Sequence, residues 1–198
     1  MEKPGSIRGE IAQRLKESAG VKEAIAQNKL GEIERMVKLI AAAYRKGGKV
    51  VLFGNGGSAA DAQHIAGEFV GRFMLKREAL PAIALTTNTS ILTALANDYG
   101  YDEVFNRQVE ALVSNKDVVI GLSTSGNSSN VIEAIKTAKG KGAKTIGLTG
   151  GGGGKLRETA DLVLVVPSEN FARIQEAHIT IGHIVCELVE KELSNKEK

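Results

Sequence analysis

An α/β fold, a doubly wound parallel sheet flanked by helices, is predicted by three observations on this chain. Short β-rich apolar runs recur along it, helix-type segments separate them, and no repeat, linker or low-complexity tract divides the series apart from one glycine run. Strands of that kind are buried on both faces, which is the situation inside a parallel sheet covered by helices on each side.

The elements follow in order. From Ser6 to about Lys46 the apolar residues fall at helical spacing, Ile7, Ile11 and Leu15 first and then Ile33, Val37, Ile40 and Tyr44, so an N-terminal helical hairpin is expected. Gly47-Gly48 ends the second helix, and Lys49 to Phe53 is the first buried strand. Ala82 to Leu85, Val118 to Leu122, Thr145 to Leu148 and Leu162 to Val166 supply the other strands, with helices between them. Asn97-Asp98 is expected in a loop between helical segments, and a long C-terminal helix runs from Asn170 to about Leu193. Apart from the glycine run Gly150 to Gly154, no linker, repeat or low-complexity tract divides the chain, so 1–198 is expected to be one domain.

Composition narrows the function classes. The 198 residues are 42% hydrophobic, enough for one well-buried core. The net charge of +3 comes from 26 basic and 23 acidic residues mixed along the chain, so no basic stripe announces a nucleic acid or a membrane; a small anionic substrate fits better. Cys186 is the lone cysteine and sits in an apolar run, as an inert buried thiol in a reducing cytoplasm would. Charges at Glu2, Lys3, Arg8 and Glu10 interrupt the N-terminus, and no stretch approaches the ~20 apolar residues of a membrane span. A soluble cytoplasmic protein is expected.

Two strand-to-helix junctions carry the polar residues that bind ligands. In Phe53-Gly54-Asn55-Gly56-Gly57-Ser58, glycines after a strand let backbone N–H groups face a ligand, although the spacing is neither that of a dinucleotide fold nor that of a P-loop. The second junction, Leu122-Ser123-Thr124-Ser125-Gly126-Asn127-Ser128-Ser129-Asn130, crowds hydroxyls at a helix N-terminus, where orphan N–H groups and the helix dipole favour an anion such as a monophosphate. Capping the helix needs a single hydroxyl, so the surplus speaks for phosphate. Glycines 150–154, lacking side chains to fix a ligand, are expected to form a flexible turn.

The helix after the first junction is expected to carry Asp61, His64, Glu68 and Arg72 as one polar stripe. Such a stripe is usually solvated surface, but this one begins at a ligand loop. His64 and Glu68 have the spacing of two metal ligands on one helix turn, and further ligands are available in Gln175, Glu176, His178 and His183 or in Asn97-Asp98. On one straight helix, Gln175 and His183 are separated by ~12 Å, too far to share a metal within a single subunit. If both serve one site, a neighbouring protomer contributes one of them.

Taken jointly, Gly54-Asn55-Gly56-Gly57-Ser58, His64 with Glu68, Ser123 to Ser128, and Arg173-Ile174-Gln175-Glu176 followed by His183 resemble the phosphoheptose isomerase family of the sugar isomerase (SIS) domain superfamily over nearly the whole chain. The resemblance implies an isomerase converting D-sedoheptulose 7-phosphate to D-glycero-D-manno-heptose 7-phosphate through an enediol, the first step toward an ADP-heptose precursor such as lipopolysaccharide uses. It implies a cytoplasmic homotetramer with active sites at subunit interfaces, residues 1–46 packing on and oligomerising the core 47–193. It further implies zinc held by His64, Glu68, Gln175 and His183, and substrate contacts from Asn55, Gly56, Gly57, Glu68, Asn97, Asp98, Ser123, Thr124, Ser125, Ser128 and Gln175. Glu68 is then the base and His183 its acid/base partner, as proton transfer next to a carbonyl requires. Ala59-Ala60 departs from the bulkier His-Cys-type pair of that family.

Three rivals are weighed. A noncatalytic relative that binds the replication initiator lacks the equivalents of Glu68 and His183. An isomerase of another phosphosugar is the second, but the arabinose 5-phosphate type carries extra domains this length excludes. A sugar-phosphate-sensing regulator needs a DNA-binding module that the first 46 residues do not resemble.

Overall fold

In the computed structural model, which describes residues 5–194, the N-terminal hairpin is α1 (Ile7–Asn28) and α2 (Leu30–Arg45). Then come β1 (Val50–Gly54), α3 (Gly57–Val70), β2 (Ala82–Ala84), α4 (Thr89–Tyr99), a 3-10 turn (Tyr101–Glu103) and α5 (Asn106–Leu112). The chain continues through β3 (Val118–Leu122), α6 (Ser129–Gly140), β4 (Lys144–Gly150), α7 (Leu156–Thr159), β5 (Leu162–Val166) and α8 (Phe171–Ser194). Ser6 caps α1 by accepting the N–H of Gly9 at 3.1 Å, and Asn88 caps α4 by accepting that of Ile91 at 3.0 Å.

The five strands form one parallel sheet in the order β2-β1-β3-β4-β5. Alternate residues of β1 point to opposite faces, and both faces are buried. Val50 and Leu52 join a core with α2, α3 and α8, while Val51 and Phe53 join another with α5 and α6. Phe53 stacks on Phe105 of that second core at 5.2 Å, and complete burial of such a side chain contributes roughly 2–3 kcal/mol. Asp117 sets the register of β1 against β3: its carboxylate accepts the N–H of Lys49 at 2.9 Å and of Ser114 at 2.7 Å, and pairs with Lys49 Nζ at 2.7 Å.

A second buried carboxylate joins α8 to the segment after α3. Glu190 is fully buried, and accepts the backbone N–H groups of Phe73, Met74 and Leu75 at 2.8–2.9 Å and Arg77 Nε at 2.7 Å. Burial alone would raise this carboxyl; the three N–H groups and the guanidinium outweigh it and hold Glu190 below the usual range. A buried pair of this kind costs about 3–5 kcal/mol when one partner is removed.

Three sequence expectations are corrected here. Asn97 and Asp98 lie in the last turn of α4, not in a loop; the chain leaves the helix at Gly100, whose φ of 93° suits glycine. Arg72 lies beyond α3, which ends at Val70, so the stripe from Asp61 stops at Glu68. Glycines 150–154 form a turn with positive φ at Gly151, Gly153 and Gly154, but a pinned one: Gly150 N–H donates to Thr124 O at 3.1 Å, Leu156 N–H to Gly126 O at 2.9 Å and Lys155 N–H to Asn127 Oδ1 at 3.1 Å. No helix among the described residues is long and apolar enough to cross a membrane.

Candidate functional site

Both ligand junctions leave the sheet side by side, because Gly54 pairs with Leu122 in the β1–β3 register. This is also where the strand order reverses: α3 leads from β1 toward β2 and α6 from β3 toward β4, which opens a crevice at the carboxyl ends of the strands. Two amides bridge the junctions: Asn55 Nδ2 donates to Asn130 Oδ1 at 2.9 Å and Asn130 Nδ2 returns a bond to Asn55 Oδ1 at 3.0 Å. Tyr101 adds its hydroxyl to Asn55 Oδ1 at 3.2 Å, and Ser129 Oγ donates to Asp102, so the 3-10 turn is tied to both junctions.

The hydroxyls after β3 point at one another. Buried Ser123 Oγ lies 2.9 Å from Ser128 Oγ and 3.5 Å from Ser125 Oγ. Ser128 occupies the N-cap of α6 without making a side-chain cap bond. A loop used only for capping would have spent that hydroxyl on the helix; this one leaves it facing inward. Beside it, Thr124, Ser125 and Asn127 line a cavity of about 810 Å³ with the glycine turn.

The glycines of the first junction make room for side chains as much as for a ligand. A Cβ on Gly57 would lie 1.8 Å from Gln175 Nε2, which places that amide at the N-terminus of α3. Gln175 also lines a cavity of about 330 Å³ with Asp61 and Glu176. Asp61 Oδ2 is buried there and has no hydrogen-bond partner among the described residues. Burial pushes the Asp61 carboxyl up to about 6 and the neighbouring His64 draws it down by less.

Two turns further along α3, His64 and Glu68 meet His183 of α8. His64 Nε2 is 2.8 Å from His183 Nε2 and 3.3 Å from Glu68 Oε1, and the three ligand atoms lie within 4.8 Å of one another. The helices approach closely because Gly182 precedes His183: a Cβ there would be 2.6 Å from Ile65 Cδ1. Phe73 stacks on the His183 ring at 5.4 Å and 21°. The cluster is open to solvent, His64 being 50% and Glu68 24% exposed.

One chain therefore brings together His64, Glu68 and His183, and separately Asn55, Ser123, Ser125 and Ser128 with Thr124 adjoining. Gln175 stands eight residues before His183 on α8, against Gly57 at the N-terminus of α3. Asn97 and Asp98 are exposed on α4 and, among the described residues, hydrogen-bond only to each other, Asn97 Nδ2 donating to Asp98 Oδ1 at 2.8 Å. His178 is a core residue, its Nε2 3.2 Å from Thr149 O, and burial depresses it to about 4. Burial first, then the charges of Glu68 and Glu190, pushes the Cys186 thiol up to about 12, so it is inert. Asn130 is evident from sequence only as the end of the second junction, and Tyr101, Phe73, Arg77 and Glu190 are not singled out there. Only Glu190 leaves a signal there, since it falls one turn after Cys186 on the apolar stripe of α8.

Comparison with known proteins adds to this geometry. Residues 15–150 match the family model described as SIS domain. The chain is 55% identical to a phosphoheptose isomerase of Geobacter sulfurreducens, over 93% of this chain and 97% of the relative, and 56% identical to one of Aquifex aeolicus, over 91% and 95%. Among solved structures it is similar to a phosphoheptose isomerase from Neisseria gonorrhoeae, with a TM-score of 0.89 and 42% identity covering 94% of this chain and all of the other.

Proposed function

The chain belongs to the phosphoheptose isomerase family of SIS domain proteins, and from that premise we propose that it interconverts D-sedoheptulose 7-phosphate and D-glycero-D-manno-heptose 7-phosphate. The observation that carries the reading is the convergence within 4.8 Å of His64 and Glu68, on the helix that leaves the first junction, with His183 of α8.

The roles follow from the chemistry. Ser123, Thr124, Ser125 and Ser128 take the phosphate, with the α6 N-terminus behind them favouring its charge. Asn55, Gly56, Gly57, Asn97, Asp98 and Gln175 are assigned to the sugar. Glu68 removes a proton from C1 of the open-chain ketose and returns it to C2, while His183 moves a proton between the oxygens on C1 and C2, so that the enediol forms and collapses without net gain or loss of atoms.

Two imidazole nitrogens and a carboxylate oxygen are a donor set that suits zinc with a further position open, so His64, Glu68 and His183 are proposed to hold it, a neighbouring protomer's Gln175 completing the set. When bound, zinc supplies Lewis-acid polarisation of a carbonyl oxygen. A cytoplasmic homotetramer is proposed with it, assembled through the N-terminal hairpin, and the reaction is placed at the start of ADP-heptose precursor synthesis. The support for assembly is an apolar cleft of about 580 Å³ between α1, α2 and α8, together with Ile7, Ile11 and Leu15 exposed in a row on α1.

An isomerisation assay on sedoheptulose 7-phosphate, with and without zinc, tests the reading. Glu68→Gln and His183→Ala should each lose on the order of a hundredfold or more in kcat with the fold intact. A wild-type protein that leaves this substrate unchanged under both conditions would falsify it.

A further inference from the structure

We propose that Phe73 is a positioning residue for the isomerisation, its ring setting the plane of the His183 imidazole against His64 and Glu68 while the buried Arg77–Glu190 pair holds that ring in place. The inference rests on the role given above to His183. An imidazole that handles protons is usually oriented by a hydrogen bond on its second nitrogen. Here His183 Nε2 faces His64 at 2.8 Å, and no carboxylate or carbonyl among the described residues bonds Nδ1. What lies against the ring is Phe73, nearly parallel at 21°, with the His64 ring at 60° on another side.

Phe73 lies outside any helix or strand, in the segment after α3, and its position needs a cause. Glu190 supplies it, because its carboxylate accepts the N–H groups of Phe73, Met74 and Leu75, and it stands on the same helix as His183. One helix thus carries the imidazole and the group that fixes the ring stacked on it. Arg77 completes the frame: bound to Glu190, it also donates to the backbone carbonyls of Glu68 and Phe69, each at 2.9 Å. The proposed base, the imidazole and the ring therefore share one buried anchor. Were Phe73 only filler, its volume would matter and its aromaticity would not.

The test compares Phe73→Leu and Phe73→Tyr in the full chain by kcat, KM, melting temperature and the NMR signals of the imidazole carbons and protons. Only three histidines are present, and loss of a signal in His183→Ala assigns the one in question. The His183 ring protons should be shifted upfield by the stacked ring in wild type and in the Phe73→Tyr variant alike, and lose that shift in Phe73→Leu. Phe73→Leu should lower kcat by roughly 10- to 100-fold with KM within about twofold, since small misplacements of a reacting group cost that much, and Phe73→Tyr should recover to within about threefold. Equal activity in the Leu and Tyr variants, or no upfield shift in wild type, overturns the proposal. Should Phe73→Leu not fold, Phe73→Met is judged by the same readings. If His183→Ala itself retains turnover, the assigned catalytic role fails; a dead His183→Ala beside a fully active Phe73→Leu sinks the positioning role alone.

Discussion

His178 is the residue whose burial has the plainest thermodynamic consequence. Its folded value near 4 lies below the unfolded value of about 6.5, so the unfolded chain binds more protons between them and stability is lost as pH falls through that window. The loss amounts to about 1 kcal/mol between pH 7.5 and 5.5. Asp61 has the opposite sign: its folded value near 6 exceeds the unfolded one, so its contribution grows as pH falls, screened by its partial exposure. Urea denaturation at the two pH values should show the acid-side loss in wild type and not in His178→Gln. A variant as sensitive as wild type would mean that another group titrates there. At this scale the sequence is most informative where polar side chains cluster on one helix face: His64 and Glu68 are one helix turn apart, and that spacing is legible along the chain itself. The pairing of Arg77 with Glu190 is not, because nothing along the chain links two charges 113 residues apart before tertiary contacts bury them.

Among the elements, the buried strands are legible because a parallel sheet covered on both faces leaves a nearly continuous apolar run. The loop expected at Asn97-Asp98 is wrong because Asn and Asp are common both in turns and near helix ends; the apolar stripe of α4, with Leu92, Leu95 and Ala96 packed on the second core, stops just before them. Nor does sequence show that the hydroxyl loop and the glycine turn are one unit. Gly126 has a φ of 67°, and a Cβ there would lie 2.1 Å from Gly153 O. Gly126→Ala should therefore cost about 2 kcal/mol or more and raise KM by on the order of tenfold, read from urea midpoints and the isomerisation assay. Unchanged values would show that the two loops move apart freely.

For the whole molecule, the exposed row on α1 and the cleft between α1, α2 and α8 predict the assembly behaviour. Ile11→Glu with Leu15→Glu should shift the sedimentation coefficient from a tetramer's to that of a smaller species, and activity should fall with it. A folded monomer of full activity would show that no residue of the site is shared. The distribution of the site along the chain also bears on how it comes into being. The β1–β3 pairing that aligns the two ligand loops joins residues 68 positions apart, and His64 meets His183 across 119. Contacts this distant in sequence form late and slowly, after nearby segments have found their helices. As the chain is synthesised, α3 exists long before α8, so a nascent polypeptide holds His64 and Glu68 without His183 and none of the cluster's geometry. The part of the site that one chain supplies is complete only when the last helix docks.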